Sequence, residues 1–139
     1  MKYLPGLTHA LLRIVSGLLF LHHGGMKLLG WFGGMPAGAE LTPLVVTAGV
    51  IEMVCGILIL LGLLTRPAAF LASGEMAYAY FMKHFPQGFW PIQNHGELAV
   101  LYCFIFLFLA ASGAGPLSVD ALLGRERKAP TEAATAPAS

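Results

Sequence analysis

The sequence predicts an all-α integral membrane protein, a four-helix bundle with cytoplasmic N- and C-termini, and three observations carry that expectation. Its 139 residues are 57% hydrophobic and only 11% charged, with a mean hydropathy of +0.74, far from the balance of a water-soluble domain. The apolar residues gather into four stretches, each approaching the ~20 residues that span ~30 Å of hydrocarbon. Glycine, proline and polar residues fill the intervals, so no stretch continues into the next as one helix.

The first stretch covers 7–29 and is stopped by a loop holding Gly33, Gly34, Pro36 and Gly38. A cleaved leader ending at Ala37-Gly38-Ala39 does not fit it, because the run is too long and is interrupted by His22, His23 and Lys27. The second, 44–64, follows Thr42-Pro43, and the third, 67–85, follows Thr65-Arg66. Both therefore place a capping hydroxyl beside a first-turn proline. The fourth, 96–112, opens with Asn94 and Glu97 at capping-box spacing and closes at Gly113, Gly115 and Pro116. The membrane domain is thus 1–124. Residues 125–139 are charged and then rich in Ala, Pro and Thr, and are expected to form a disordered cytoplasmic tail.

Charge sets the orientation. Lys2, Arg66, Arg125, Arg127 and Lys128 lie at the end of the spans that carries the termini, against Lys27 and Lys83 at the other. The positive-inside rule then places both termini in the cytoplasm of an inner-membrane, multi-pass protein. Trp31, Phe32, Phe89 and Trp90 fall at the outer interface, where amphipathic rings are favoured. A formal net charge of +1 offers no basic surface for nucleic acid. Cys55 and Cys103 form no CxxC or zinc spacing and read as small buried hydrophobes.

Ionisable groups at mid-membrane depth cost ~2.5 kcal/mol or more, so they face a partner or a cavity. Here Arg13, Glu52, Glu75 and Glu97 place at least one in every span, and His22, His23, Lys27, Lys83, His84 and His95 gather near the outer ends. At 100° per residue, Arg13, Gly17, Phe20, Gly24 and Lys27 share one face of the first helix, with His23 at its edge and His22 opposite. Gly49, Glu52 and Gly56 share a face of the second, and Ala68, Ala72, Glu75 and Ala79 one of the third. Small residues beside each glutamate allow helices to approach closely, which turns the carboxylates inward.

Two accounts of these groups stand open. In one they are ion-paired glue, with Arg13 joined to Glu52 or Glu75. In the other they line a polar pocket that moves protons or holds a head group such as a quinone carbonyl. Capping alone accounts for Glu97. His23, His84 and His95 show no i, i+4 pair or Cys/His signature, so no metal site is expected. No phosphate loop or nucleophile elbow appears either.

These residues resemble the DoxX family of small membrane proteins over about 7–123. The resemblance is carried by Arg13 with Gly17, His23-Gly24, Lys27-Leu28, Ala48-Gly49, Ile51-Glu52, Gly56, Gly62-Leu63 and Thr65-Arg66. It continues through Ala68-Ala69, the run His84-Phe85-Pro86-Gln87-Gly88-Phe89, Gly96-Glu97, and a closing stretch that ends Ser118-Val119-Asp120. It implies a four-helix membrane bundle and an accessory role in quinone-linked or redox-stress oxidoreductase systems. The expected partners are the lipid bilayer, a membrane or peripheral oxidoreductase, and a second copy of the chain. The candidate pocket is Arg13, His23, Lys27, Glu52, Glu75, His84 and Glu97, with quinone as the candidate ligand and no catalytic residue assigned. A non-catalytic scaffold or assembly factor is the alternative. A small transporter is a third, disfavoured because no inverted repeat is evident.

Overall fold

The computed structural model describes residues 3–125, which are helices and their connections with no strand among them. The expected tail therefore lies almost wholly outside the described residues. The long helices are α1 (Leu4–Leu29), α2 (Pro43–Leu61), α3 (Thr65–Ala79) and α5 (Glu97–Ser112); α4 (Pro91–Asn94) and α6 (Val119–Leu122) are single turns. Among the described residues, α1 and α2 are the helices long and apolar enough to cross a membrane. α5 is apolar but has 16 residues. The third stretch departs from a plain helix: α3 has 15 residues and reaches 84 only through a wider π turn, Tyr80–His84.

Local chemistry explains most boundaries. Gly30 ends α1 with φ 69° and Gly62 ends α2 with φ 70°, the left-handed conformation that glycine adopts without steric cost. Thr42 caps α2 as expected, its hydroxyl accepting from the Val45 amide at 3.3 Å. Two other caps differ from the sequence expectation. The Thr65 hydroxyl makes no hydrogen bond; the Asp120 carboxylate accepts from the Leu64 and Thr65 amides at 3.0 Å each, a capping charge delivered from α6. Asn94 lies within α4 and accepts from the Gly96 amide at 2.8 Å, and Gly96 itself precedes α5. No Asn94–Glu97 capping box forms because His95, at φ 59°, turns the chain between them.

The helices pack as two intimate pairs, α1 with α2 and α3 with α5, joined through α2 and α3. Seven-residue glycine spacing on both members sets the α1–α2 contact. A Cβ on Gly17 would lie 2.6 Å from the Leu60 amide nitrogen, and one on Gly24 would lie 2.7 Å from the Gly49 carbonyl oxygen. One on Gly56 would lie 2.7 Å from the Leu21 nitrogen. Backbones this close admit no side chain, and dispersion and weak polar contacts replace hydrophobic driving force.

The radial distribution of side chains suits lipid. Arg13, Ser16, Glu52 and Ser73 are buried, while Leu11, Val15, Val50, Val54, Phe70, Leu101 and Phe104 are exposed. Such an apolar exterior in water would drive association; against acyl chains it is the favoured face. The apolar core is a layer of Phe20, Cys55, Ile59, Ala72, Tyr102, Phe106 and Leu109.

At the end that carries the termini, charge closes the structure through backbone groups. The Arg13 guanidinium, 1% exposed, donates to the Ala114 (3.0 Å), Ile59 (2.7 Å), Leu60 (2.6 Å) and Leu117 (2.6 Å) carbonyls. It thus satisfies the last turn of α2 and the chain after α5. Arg66 does the same for α5, donating to the carbonyls of Ala110, Ala111 and Ser112.

Candidate functional site

The opposite end gathers five of the seven candidate residues. α1 presents Lys27 one turn beyond Gly24, and its ammonium donates to Glu52 Oε1 at 2.6 Å. The stem of Lys27 runs over Gly49, where an added Cβ would lie 3.3 Å from it, so the missing side chain is what lets the ammonium reach the carboxylate. Glu52 is 3% exposed, and its second oxygen, Oε2, is buried with no hydrogen-bond partner. Both oxygens of Glu75 on α3 are likewise buried and unpartnered, and Glu75 lies within Coulombic reach of Glu52 and Lys27. An ionised carboxylate without donors in such surroundings is costly. The pair of them marks a place where protons, water or a ligand complete the bonding.

Glu75 and Lys27 open onto a groove of about 810 Å³ between α2 and α3, which also takes in Ile51, Tyr78, Met82 and His84. Its walls are mostly apolar and include exposed residues such as Leu44, Phe70 and Leu71. Polar groups collect toward one end, where Lys83 and Gln87 join His84. A mainly apolar cleft with a few convergent polar groups is the usual form of a small-molecule site.

His84 and His23 come together in a second cavity of about 200 Å³, with Glu52, His95 and Tyr102. His84 is positioned by Asn94, a wholly buried residue that the sequence marks only as a cap. The Asn94 amide donates to Gly88 (2.7 Å) and to the Tyr80 hydroxyl (3.3 Å), and its backbone carbonyl accepts from His84 Nδ1 at 3.0 Å. Gly96 makes this possible, since a Cβ there would sit 2.7 Å from the Tyr80 ring. The sequence signal was present: an asparagine beside His-Gly, after an aromatic run, can bridge loop backbone as well as cap.

The other two candidates lie apart. Arg13 is 14 residues from Lys27 on the same helix, about 21 Å along its axis, and holds the carbonyls at the terminal end, so the cation beside Glu52 is Lys27. Glu97 is exposed in the first turn of α5 and lines neither cavity. Among residues set aside at the start, His22 meets Trp31 and Phe32 edge-on, at ring separations of 6.4 and 5.1 Å. Cys55 is buried and Cys103 half-buried, and both are free thiols. Among the described residues, no group of three or more His, Cys, Asp or Glu side chains is arranged to hold a metal ion.

The chain is similar to proteins named as membrane proteins. A family model described as DoxX matches residues 8–85. An uncharacterized protein of Haemophilus influenzae is 48% identical over 124 residues, covering 86% of this chain and 92% of that one. An uncharacterized membrane protein of Mycobacterium tuberculosis, Rv3486, is 31% identical, covering 90% and 91%. The inner membrane protein YqjF of Escherichia coli is 30% identical, covering 91% and 99%. No solved structure gives a significant match.

Proposed function

The chain belongs to the DoxX family of membrane proteins, and from that premise we propose that it holds a quinone head group in the α2–α3 groove as an accessory subunit of a redox assembly. The proposal includes a four-span bundle in the inner membrane, with both termini in the cytoplasm. α3 with its π turn covers 65–84, about 30 Å at 1.5 Å per residue, and α5 lies against it. Those two elements supply the third and fourth spans.

The observation that carries the ligand is the unpartnered Glu75 carboxylate in the wall of an apolar groove. Lys27 has donors beyond the one given to Glu52 and can bind a head-group carbonyl oxygen. Glu75 can accept from a head-group hydroxyl when ionised, or donate to a carbonyl when protonated. The apolar walls accommodate an isoprenoid tail. Electrons pass to or from the head group through a partner oxidoreductase.

The scaffold reading rests on a different observation, the 2.6 Å Lys27–Glu52 pair beside the glycine contacts of α1 and α2, which orients helices without any ligand. One experiment separates them. Protein purified in lipid nanodiscs supplied with a defined quinone should retain it in stoichiometric amount by mass spectrometry. Glu75→Gln should keep the fold and lose most of the quinone. Equal retention by wild type and variant removes Glu75 from the site, and none by either leaves only the scaffold.

A further inference from the structure

The groove and the second cavity share a wall. His84, Met76 and Ala79 line both. Glu52 touches both sides as well: Oε1 holds Lys27, a groove residue, while the residue itself lines the second cavity and keeps Oε2 buried and unpartnered. Two proton-carrying side chains therefore stand between one space and the other.

The chemistry of His84 suits transfer. A backbone carbonyl oxygen only accepts, so the 3.0 Å contact to Asn94 fixes the hydrogen on Nδ1. In the neutral ring Nε2 then carries a lone pair and is the atom that takes up a proton. Access comes from the side of His95, which lines the second cavity and is exposed. Toward the terminal end the way is closed by the aromatic layer. Tyr102 stacks on Phe106 at 5.4 Å and Phe20 abuts Phe106 at 4.7 Å, above Ile59 and Leu109, which are fully buried.

We propose that His84 and Glu52 pass protons between the second cavity and the head-group end of the groove. A hydronium ion entering beside His95 gives its proton to His84 Nε2 and leaves as water. The imidazolium then yields that proton, carried by water in the second cavity, to Glu52 Oε2: the N–H bond breaks, an O–H bond forms, and the ring returns to neutral. Glu52 hands the proton on, again through water, to a Glu75 oxygen, its own O–H bond breaking as the new one forms, while its other oxygen stays on Lys27. The groups facing this path are His23 and Lys27 from α1, Glu75 from α3, Lys83 from the π turn, His95 before α5 and Tyr102 from α5. That the delivered proton serves a ligand rests on the quinone reading above.

The test is infrared difference spectroscopy of the full chain in proteoliposomes after an acid jump of the medium. Wild type should gain the carbonyl stretch of a protonated carboxylic acid, and Glu75→Gln should lose it. His84→Asn, whose amide nitrogen takes the place of Nδ1, can still donate to the Asn94 carbonyl but carries no proton; it should slow the band by about a hundredfold, and imidazole added to the medium should restore the rate. Glu52→Gln, which retains an oxygen for Lys27, should slow it too and decides the matter if His84→Asn does not fold. A band absent from wild type, or rising at the wild-type rate in both variants, overturns the proposal. Quinone retention is measured on the same vesicles. A carboxyl response without quinone overturns the ligand reading alone, and quinone without the response overturns the proton path alone.

Discussion

Replacing Gly56 by alanine probes the contact that sets the register of the site. The new Cβ would lie 2.7 Å from the Leu21 nitrogen, 2.8 Å from its Cα and 2.9 Å from its Cβ. Ordinary contact begins near 3.4 Å, so α1 and α2 must separate by roughly 0.7 Å, against backbone that cannot rotate away. Overpacking of this kind costs about 1–3 kcal/mol, while exchanging glycine for alanine inside a helix returns about 1 kcal/mol. Gly74→Ala supplies the control. It is also helical, and its Cβ would meet nothing within 4 Å, so only the propensity gain remains. The two variants should thus differ by about 1–3 kcal/mol, Gly56→Ala being the less stable. Reversible unfolding in mixed micelles, followed by circular dichroism along a denaturing-detergent titration, measures both. Equal stabilities for the two variants would refute the close approach of α1 and α2.

Two further outcomes follow from the buried charges. Lys27→Met leaves Glu52 without its cation and should destabilise the fold by about 3–5 kcal/mol; adding Glu52→Gln should recover most of that loss, a coupling that a double-mutant cycle of unfolding free energies reads directly. Asp120→Ala removes both acceptors at the start of α3 and should cost about 1–3 kcal/mol for each amide left without a bond, while Asp120→Asn, which keeps one amide oxygen, should cost about half as much by the same titration.

Helical phase made much of the site legible in the sequence. It placed Arg13, Gly17, Phe20 and Gly24 on one face of α1, and these are buried together. It did the same for Gly49, Glu52 and Gly56 on α2. Phase is a property of one helix, however, and the partner of Glu52 depends on the axial register of two. Arg13 and Lys27 share a face, and nothing in their own helix says which of them stands level with Glu52. The register was written in the glycines: with Gly17 against the segment 56–60 and Gly24 against 49–53, Arg13 falls at the last turn of α2 and Lys27 near Glu52. Caps built across long sequence separations were illegible for a similar reason. Asp120 serves Leu64 and Thr65 from more than fifty positions away, where local rules look only a few residues ahead. Helix length was the third difference. A π turn keeps the third stretch helical to 84 with one more residue per hydrogen-bonded ring, and hydropathy does not distinguish that from regular α-helix.

The central claim is that the α2–α3 groove holds a quinone head group beside Glu75. A quinone carrying a photoactivatable group on its ring, irradiated with the protein in nanodiscs and mapped by peptide mass spectrometry, tests it most directly. Labels should concentrate on the groove wall around Glu75, Ala79 and Met82, and fall when unmodified quinone competes. Labels spread evenly along the lipid-facing side chains, or confined to the aromatic groove of Phe81, Phe85 and Trp90 on the far side of α3, would contradict it.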